Sequence, residues 1–172
     1  MSQHAFVAFF FGLAATAHAF PPPPKDTKPD ADKLAKGLGD AFAANLSRND
    51  IDAIVKTVEF PYRTVGGKET KSPDAVKEEI RDVRTAYWTN DTTVAVKGVV
   101  APDQFETWAK ALPLKPEASK TEAARKAVLG DVGAGGRIVA LQFTVDGKKD
   151  DDLCLLLVKI KDGKASLVGL VD

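Results

Sequence analysis

Arg137-Ile138-Val139-Ala140-Leu141-Gln142-Phe143-Thr144-Val145, Leu153-Cys154-Leu155-Leu156-Leu157-Val158-Lys159-Ile160 and Ala165-Ser166-Leu167-Val168-Gly169-Leu170-Val171 are three apolar runs near the end of the chain. The links between them hold Asp146-Gly147-Lys148-Lys149 and Lys161-Asp162-Gly163-Lys164. Asp-Gly between apolar runs signals a hairpin, because both central positions tolerate positive φ. Three antiparallel strands follow from this, Arg137–Val145, Leu153–Ile160 and Ala165–Val171. Alternation puts Val139, Leu141, Phe143 and Val145 on one face of the first strand and Ile138, Ala140, Gln142 and Thr144 on the other. The second strand is apolar on both faces, so it is either central and covered twice or carries an open apolar face that pairs with a second copy.

The chain before this sheet reads as the material that covers it. Leu34, Leu38, Phe42 and Leu46 recur every fourth residue in a helix over Asp30–Ser47, in which Gly37 and Gly39 either admit another backbone or are tolerated. Asn49 caps a second short helix with Ile51, Ile54, Val55 and Val58 on its inner side. Tyr62–Val65 and Lys68–Lys71 read as a small hairpin about Gly66-Gly67. Ser72-Pro73 starts a third helix with Val76, Ile80, Val83 and Tyr87 buried and Glu78, Glu79, Arg81, Asp82 and Arg84 mostly facing water. Thr92–Ala101 is a strand. Pro102–Leu112 is a helix with Phe105, Trp108 and Leu112 on one side, and Thr121–Leu129 is another, stopped by Gly130.

The amino-terminal end has a different character. Ala5–Ala17 is an apolar run too short to span a bilayer, and Ala17-His18-Ala19 is a small-residue cleavage pattern. Residues 1–19 therefore read as a signal peptide cleaved after Ala19, which implies a secreted or periplasmic protein with no membrane segment after cleavage. Residues 20–29 carry five prolines and read as an extended tether, and 30–172 as one domain. Twenty-four basic residues balance twenty-four acidic ones, which argues against a nucleic-acid partner.

Residue counts exclude further chemistry. The two histidines, His4 and His18, lie in the signal segment, so the mature chain has no Ser-His or Cys-His nucleophile and no His-ligated zinc. Cys154 is the single cysteine and reads as a buried apolar side chain. Asp150-Asp151-Asp152 lacks the alternating ligands of a calcium loop and reads as a solvated turn. Gly130–Gly136 leaves a helix and enters a strand, the wrong order for a phosphate loop. No metal and no cofactor are expected. Asn45-Leu46-Ser47 and Asn90-Asp91-Thr92 match a glycosylation acceptor, with Asn45 inside the first helix.

Asn49-Asp50-Ile51-Asp52-Ala53-Ile54-Val55, then Gly66-Gly67-Lys68, then Ser72-Pro73-Asp74-Ala75-Val76-Lys77-Glu78-Glu79-Ile80 resemble the corresponding segments of the nuclear transport factor 2-like (SnoaL-like) superfamily. The order of helix, helix, hairpin, long helix, strand and three long strands is similar to its cone-shaped α+β fold. The resemblance covers about Asp30–Val171, with a helical insertion over about 102–129, longer than is usual there. It implies helices packed on a curved, mostly antiparallel sheet around an apolar pocket, and frequent pairing of members through the sheet, hence a homodimer here. The isomerase type of member uses a first-helix tyrosine and a strand carboxylate; this chain has Phe42 and Tyr62-Arg63-Thr64 at those places, so that catalytic pattern is missing.

Phe42, Tyr62, Arg63, Trp88, Trp108, Gln142 and Thr144 are the expected pocket residues. The leading expectation is a non-catalytic binder of a small apolar molecule or a protein partner. One alternative is a divergent isomerase or lyase with Tyr62 served by Glu59 or Asp103 as base. The other is an interaction module that pairs through its sheet face.

Overall fold

The structure is a computed structural model; it describes residues 30–89, 91–111, 130, 132, 133 and 135–171, with the backbone alone at 149–152. Helix α1 spans Ala31–Ser47, started by the Asp30 carboxylate, which accepts from the backbone N–H groups of Asp32 and Lys33. Its buried line is Ala35, Gly39, Phe42 and Leu46, with Leu34 and Leu38 on the flank. The line turns toward Gly39 because the helix lies against the sheet there: a Cβ at Gly39 would come within 2.6 Å of Val139 Cγ1. Gly37 meets nothing and is simply tolerated.

Helix α2, Ile51–Val55, is capped by Asp50, which accepts from the Ala53 N–H, and not by Asn49. Asn49 instead takes φ +59° in the turn that reverses the chain after α1. Strand β1 runs Val58–Arg63 and β2 is only Glu69–Thr70. Helix α3, Pro73–Tyr87, begins as expected, with Ser72 Oγ accepting from the Ala75 N–H at 3.3 Å. Strand β3 is Thr93–Val100. A 3-10 turn, Pro102–Gln104, then leads into α4, Phe105–Ala111. The expected helix over Thr121–Leu129 lies outside the described residues, as do the signal segment, the tether and Asn90.

Strands β4, Arg137–Val145, β5, Lys148–Lys161, and β6, Lys164–Val171, form the antiparallel meander. Both turns have the expected chemistry: Asp146 and Gly147 sit at φ +50° and +75°, Asp162 and Gly163 at +51° and +72°. Residues 150–152 belong to β5 and not to the turn, because the Asp146-Gly147 turn is tight enough for pairing to resume at Lys148. The six-stranded sheet has the order β2-β1-β6-β5-β4-β3. Among the described residues only β1 and β6 pair in parallel.

Two apolar clusters flank this sheet. Under α1, α2 and α3 lie Tyr62, Val139, Leu141, Phe143, Cys154, Leu156, Val158, Leu167 and Leu170, packed on Phe42, Leu46, Ile54, Val76 and Ile80. On the outer face, Ile138, Ala140, Leu155, Leu157 and Val168 are covered by Phe105, Ala109, Trp108 and Val132. The doubly apolar β5 is thus a central strand covered on both sides, the first of the two alternatives its sequence allows.

Candidate functional site

Two polar arrangements stand out from this frame, one on each face of the sheet. The first is beneath α3. The Tyr62 hydroxyl donates to Glu79 Oε1 at 2.9 Å, and the Val65 N–H donates to Glu79 Oε2 at 3.2 Å. Glu79 follows Val76 by one turn and precedes Ile80, so it flanks the buried stripe of α3 instead of facing water as its sequence suggests. Tyr62 has no exposed surface. Burial, with the Glu79 charge beside it, pushes the Tyr62 hydroxyl far above its ordinary value. Burial also raises Glu79, against the two hydrogen bonds it accepts, which favour its charged form. The pair fastens the β1–β2 hairpin to α3. Its hydroxyl proton and both carboxylate oxygens are engaged, and Tyr62 itself exposes no surface.

The second arrangement is an open cleft on the outer face, of about 210 Å³. Its origin is a mismatch between β1 and β6. Val58 lies opposite Leu167 and Arg63 opposite Gly169, so five steps along β1 span two along β6. The extra length of β1 bulges away from its neighbour, which is also why Pro61 is accepted in the strand: it has no ladder N–H to offer. At the far end β1 closes in again; a Cβ on Gly169 would lie 3.0 Å from the Arg63 carbonyl oxygen. Glu59, Phe60, Pro61 and Arg63 line the cleft from β1, Glu69 from β2, Lys159 from β5 and Val168 from β6, with Gly130 beside them. Lys159 Nζ donates to Glu59 Oε1 at 2.6 Å. Arg63 donates through Nη1 to the Gly67 carbonyl at 2.9 Å and through Nη2 to Glu69 Oε1 at 3.3 Å.

The expected pocket residues do not converge. Phe42 and Tyr62 are packed in the helix-side core. Trp88 is half-buried against the same core at the end of α3, with the Arg84 guanidinium 4.9 Å from its ring centre. Arg63 lines the outer cleft. Trp108 packs on the outer face, where a Cβ at Gly98 would touch its ring at 3.0 Å. Gln142 and Thr144 alternate with the core residues Leu141 and Phe143, so they are on the outer face and not under the helices. Tyr87, expected in the core, stacks on Phe143 with ring centres 4.6 Å apart.

The two expected bases are separated from the Tyr62 hydroxyl. Glu59 is on the opposite face of β1 and ion-paired with Lys159, and Asp103 is exposed in the 3-10 turn after β3. The carboxylate that does reach Tyr62, Glu79, is one the sequence reading assigned to solvent. Its one signal was its position beside the stripe residue Ile80. Cys154 is buried, as expected. Among the described residues no three His, Cys, Asp or Glu side chains gather as a metal site, and no helix is long and apolar enough to cross a membrane.

No protein-family model and no curated protein matches the chain. Several solved structures match the chain at low identity. A protein of unknown function with a cystatin-like fold from Nostoc punctiforme PCC 73102 is 10% identical, with TM-score 0.46, over 81% of this chain and 86% of that one. A putative ketosteroid isomerase from Kribbella flavida DSM 17836 is 8% identical, with TM-score 0.44, over 82% and 77%. An NTF-2 like protein of unknown function from Silicibacter pomeroyi DSS-3 is 16% identical, with TM-score 0.41, over 81% and 91%. The order of the elements, the run of the strands across the sheet and the packing of α1, α2 and α3 on one of its faces are those of the NTF2-like, cystatin-like α+β fold.

Proposed function

We propose that this protein is an exported, non-catalytic binding domain that holds a small molecule. The observation that carries this reading is the enclosure of Tyr62. The one hydroxyl that reaches a carboxylate in the isomerase-like region is fully buried and fixed by Glu79, with Glu59 and Asp103 out of its reach. General acid–base catalysis needs the reacting proton within hydrogen-bond reach of a substrate, and a substrate has no approach to this one. The cleft between β1 and β6 supports binding. Its charged walls favour a polar ligand over the apolar one that the resemblance implies, because an apolar ligand would desolvate four charged groups without replacing their hydration.

Thermal-shift screening of the mature protein with a library of small metabolites tests the binding reading; a stabilisation that saturates with ligand is expected. Export rests on the apolar run Ala5–Ala17 and the Ala17-His18-Ala19 pattern. Mass spectrometry of the secreted or periplasmic protein should find an amino terminus at Phe20.

A second reading, isomerase or lyase chemistry at Tyr62 and Glu79, is favoured by their 2.9 Å contact and the raised value of Glu79. Nitration of the folded protein by tetranitromethane separates the two. Tyr62 escapes modification on the binding reading, and rapid nitration there would favour catalysis.

A further inference from the structure

We infer that the cleft between β1 and β6 binds a small zwitterion, a molecule carrying a carboxylate-type anion and an ammonium-type cation a few ångströms apart. The inference rests on the binding reading above and names its ligand class. The cleft has four charged walls, two of each sign: Glu59 with Lys159 on one side, Arg63 with Glu69 on the other. A simple anion drawn to Lys159 and Arg63 also meets their partners Glu59 and Glu69, and a simple cation meets the reverse. Only a ligand with both signs pairs with both, its anion toward Lys159 and Arg63 and its cation toward Glu59 and Glu69.

Three further features agree. The resident ion pairs are rebuildable. The side chains of Lys159 and Glu59 are 39% and 37% exposed and that of Glu69 is 58% exposed, while Arg63, 21% exposed, keeps its bond to the Gly67 carbonyl, so a dipolar ligand exchanges partners with the ion pairs without burying an unpaired charge. The apolar lining residues Phe60, Pro61 and Val168 take a short hydrocarbon part. The volume, about 210 Å³, lies below the roughly 300–1,000 Å³ of pockets for drug-sized ligands, which suits a molecule of amino-acid size. Gly169 and the bulged register of β1 set the width, since any side chain at Gly169 would press Arg63 outward.

The test is a titration of the ¹⁵N-labelled mature protein, followed by NMR. Free amino acids and glycine betaine are compared with matched monocarboxylates lacking the amine and matched alkylammonium ions lacking the carboxylate. The expected result is saturable shifts of the amides around Arg63, Lys159 and Val168 with a zwitterion, at least tenfold weaker binding of both matched controls, and at least a tenfold loss in Lys159→Met and in Glu59→Gln. Each variant is checked by its amide spectrum, and Lys159→Arg, which keeps the charge, should retain binding. Equal binding of the single-charge controls overturns the inference. So does silence of the cleft while an apolar ligand shifts amides elsewhere, an outcome that leaves the binding reading standing. Absence of any saturable shift with zwitterions, controls and apolar ligands alike overturns both.

Discussion

Val58 and Tyr62 turn from β1 into the core beneath the helices, Glu59, Pro61 and Arg63 of the same strand line the outer cleft, and Phe60 packs against that core while also bordering the cleft. Six consecutive residues thus serve two opposite environments. The helix side is closed: Tyr62, Leu46, Ile54, Ile80, Leu141, Phe143 and Leu156 are fully buried there, and the polar contact of Tyr62 with Glu79 is satisfied. The outer side is divided. Under α4 it is apolar and covered, and toward β1 it opens into a charged cleft. Strand alternation accounts for the split of side chains. It does not account for the opening, which comes from the five-against-two register of β1 on β6. In this molecule the interior supplies stability, and a defect in strand pairing opens the cleft.

Variants that act on one side alone can break this division. Leu156→Ala, in the closed core, should cost about 2–5 kcal/mol by urea unfolding, because the side chain is fully enclosed and its neighbours cannot all collapse into the space. A loss under about 1 kcal/mol would mean that the helix side is loosely packed. Trp108→Ala should cost less, roughly half of the 3–5 kcal/mol of a buried tryptophan, since its ring is only partly covered. Its signature is local: amide exchange should accelerate in α4 and at Gly98 while α1 keeps its protection.

Tyr62→Phe removes the hydroxyl without emptying the core and should cost about 1–3 kcal/mol, the usual penalty for leaving a half-buried acceptor unpaired. The pH dependence has a definite sign. Glu79 binds its proton more tightly when folded, so its contribution is fully present below its ordinary value of 4.5 and is lost as pH rises through the raised folded value. Tyr62→Phe deletes a bond that holds that value down. The loss should therefore deepen and extend to higher pH in the variant, which denaturation at a series of pH values will read. Tyr62 itself is raised, so the wild type should also lose stability as pH climbs past 10.0, the ordinary tyrosine value. Tyr62→Phe should abolish that alkaline component.

The smallest effect is expected at the cleft. Lys159→Ala separates a pair whose members are both more than a third exposed, and should change stability by about 1 kcal/mol or less, diminishing with salt. A large loss there would make the ion pairs part of the scaffold and erase the contrast between the two sides.

Much of the architecture was legible because its causes are local. The Asp-Gly turns specify positive φ, Ser72-Pro73 specifies a helix start, and the double-sided apolar content of β5 specifies cover on both faces. The expected strand Tyr62–Val65 was shifted from the observed Val58–Arg63 because Pro61 reads as a strand breaker, and only a neighbour that leaves its nitrogen unopposed makes it acceptable. Asn49 and Asp50 are both good caps, and the backbone reversal after α1 chose between them. The site was far less legible. Trp88, Trp108, Gln142 and Thr144 have the right chemistry for a pocket, but alternation tells only that Gln142 and Thr144 share a face, not which face the helices take.

The sequence by itself determined the three-stranded meander and its two Asp-Gly turns, the start of α3 at Ser72-Pro73 and the lack of any histidine after residue 19, since each follows from residues close together in the chain. The tertiary structure alone decided that Glu79 closes over Tyr62, that α4 covers the outer apolar face, and that β1 bulges from β6 to open a charged cleft. Those three features depend on the register of segments distant in sequence, and register is fixed by the packing of the whole sheet and not by any one strand.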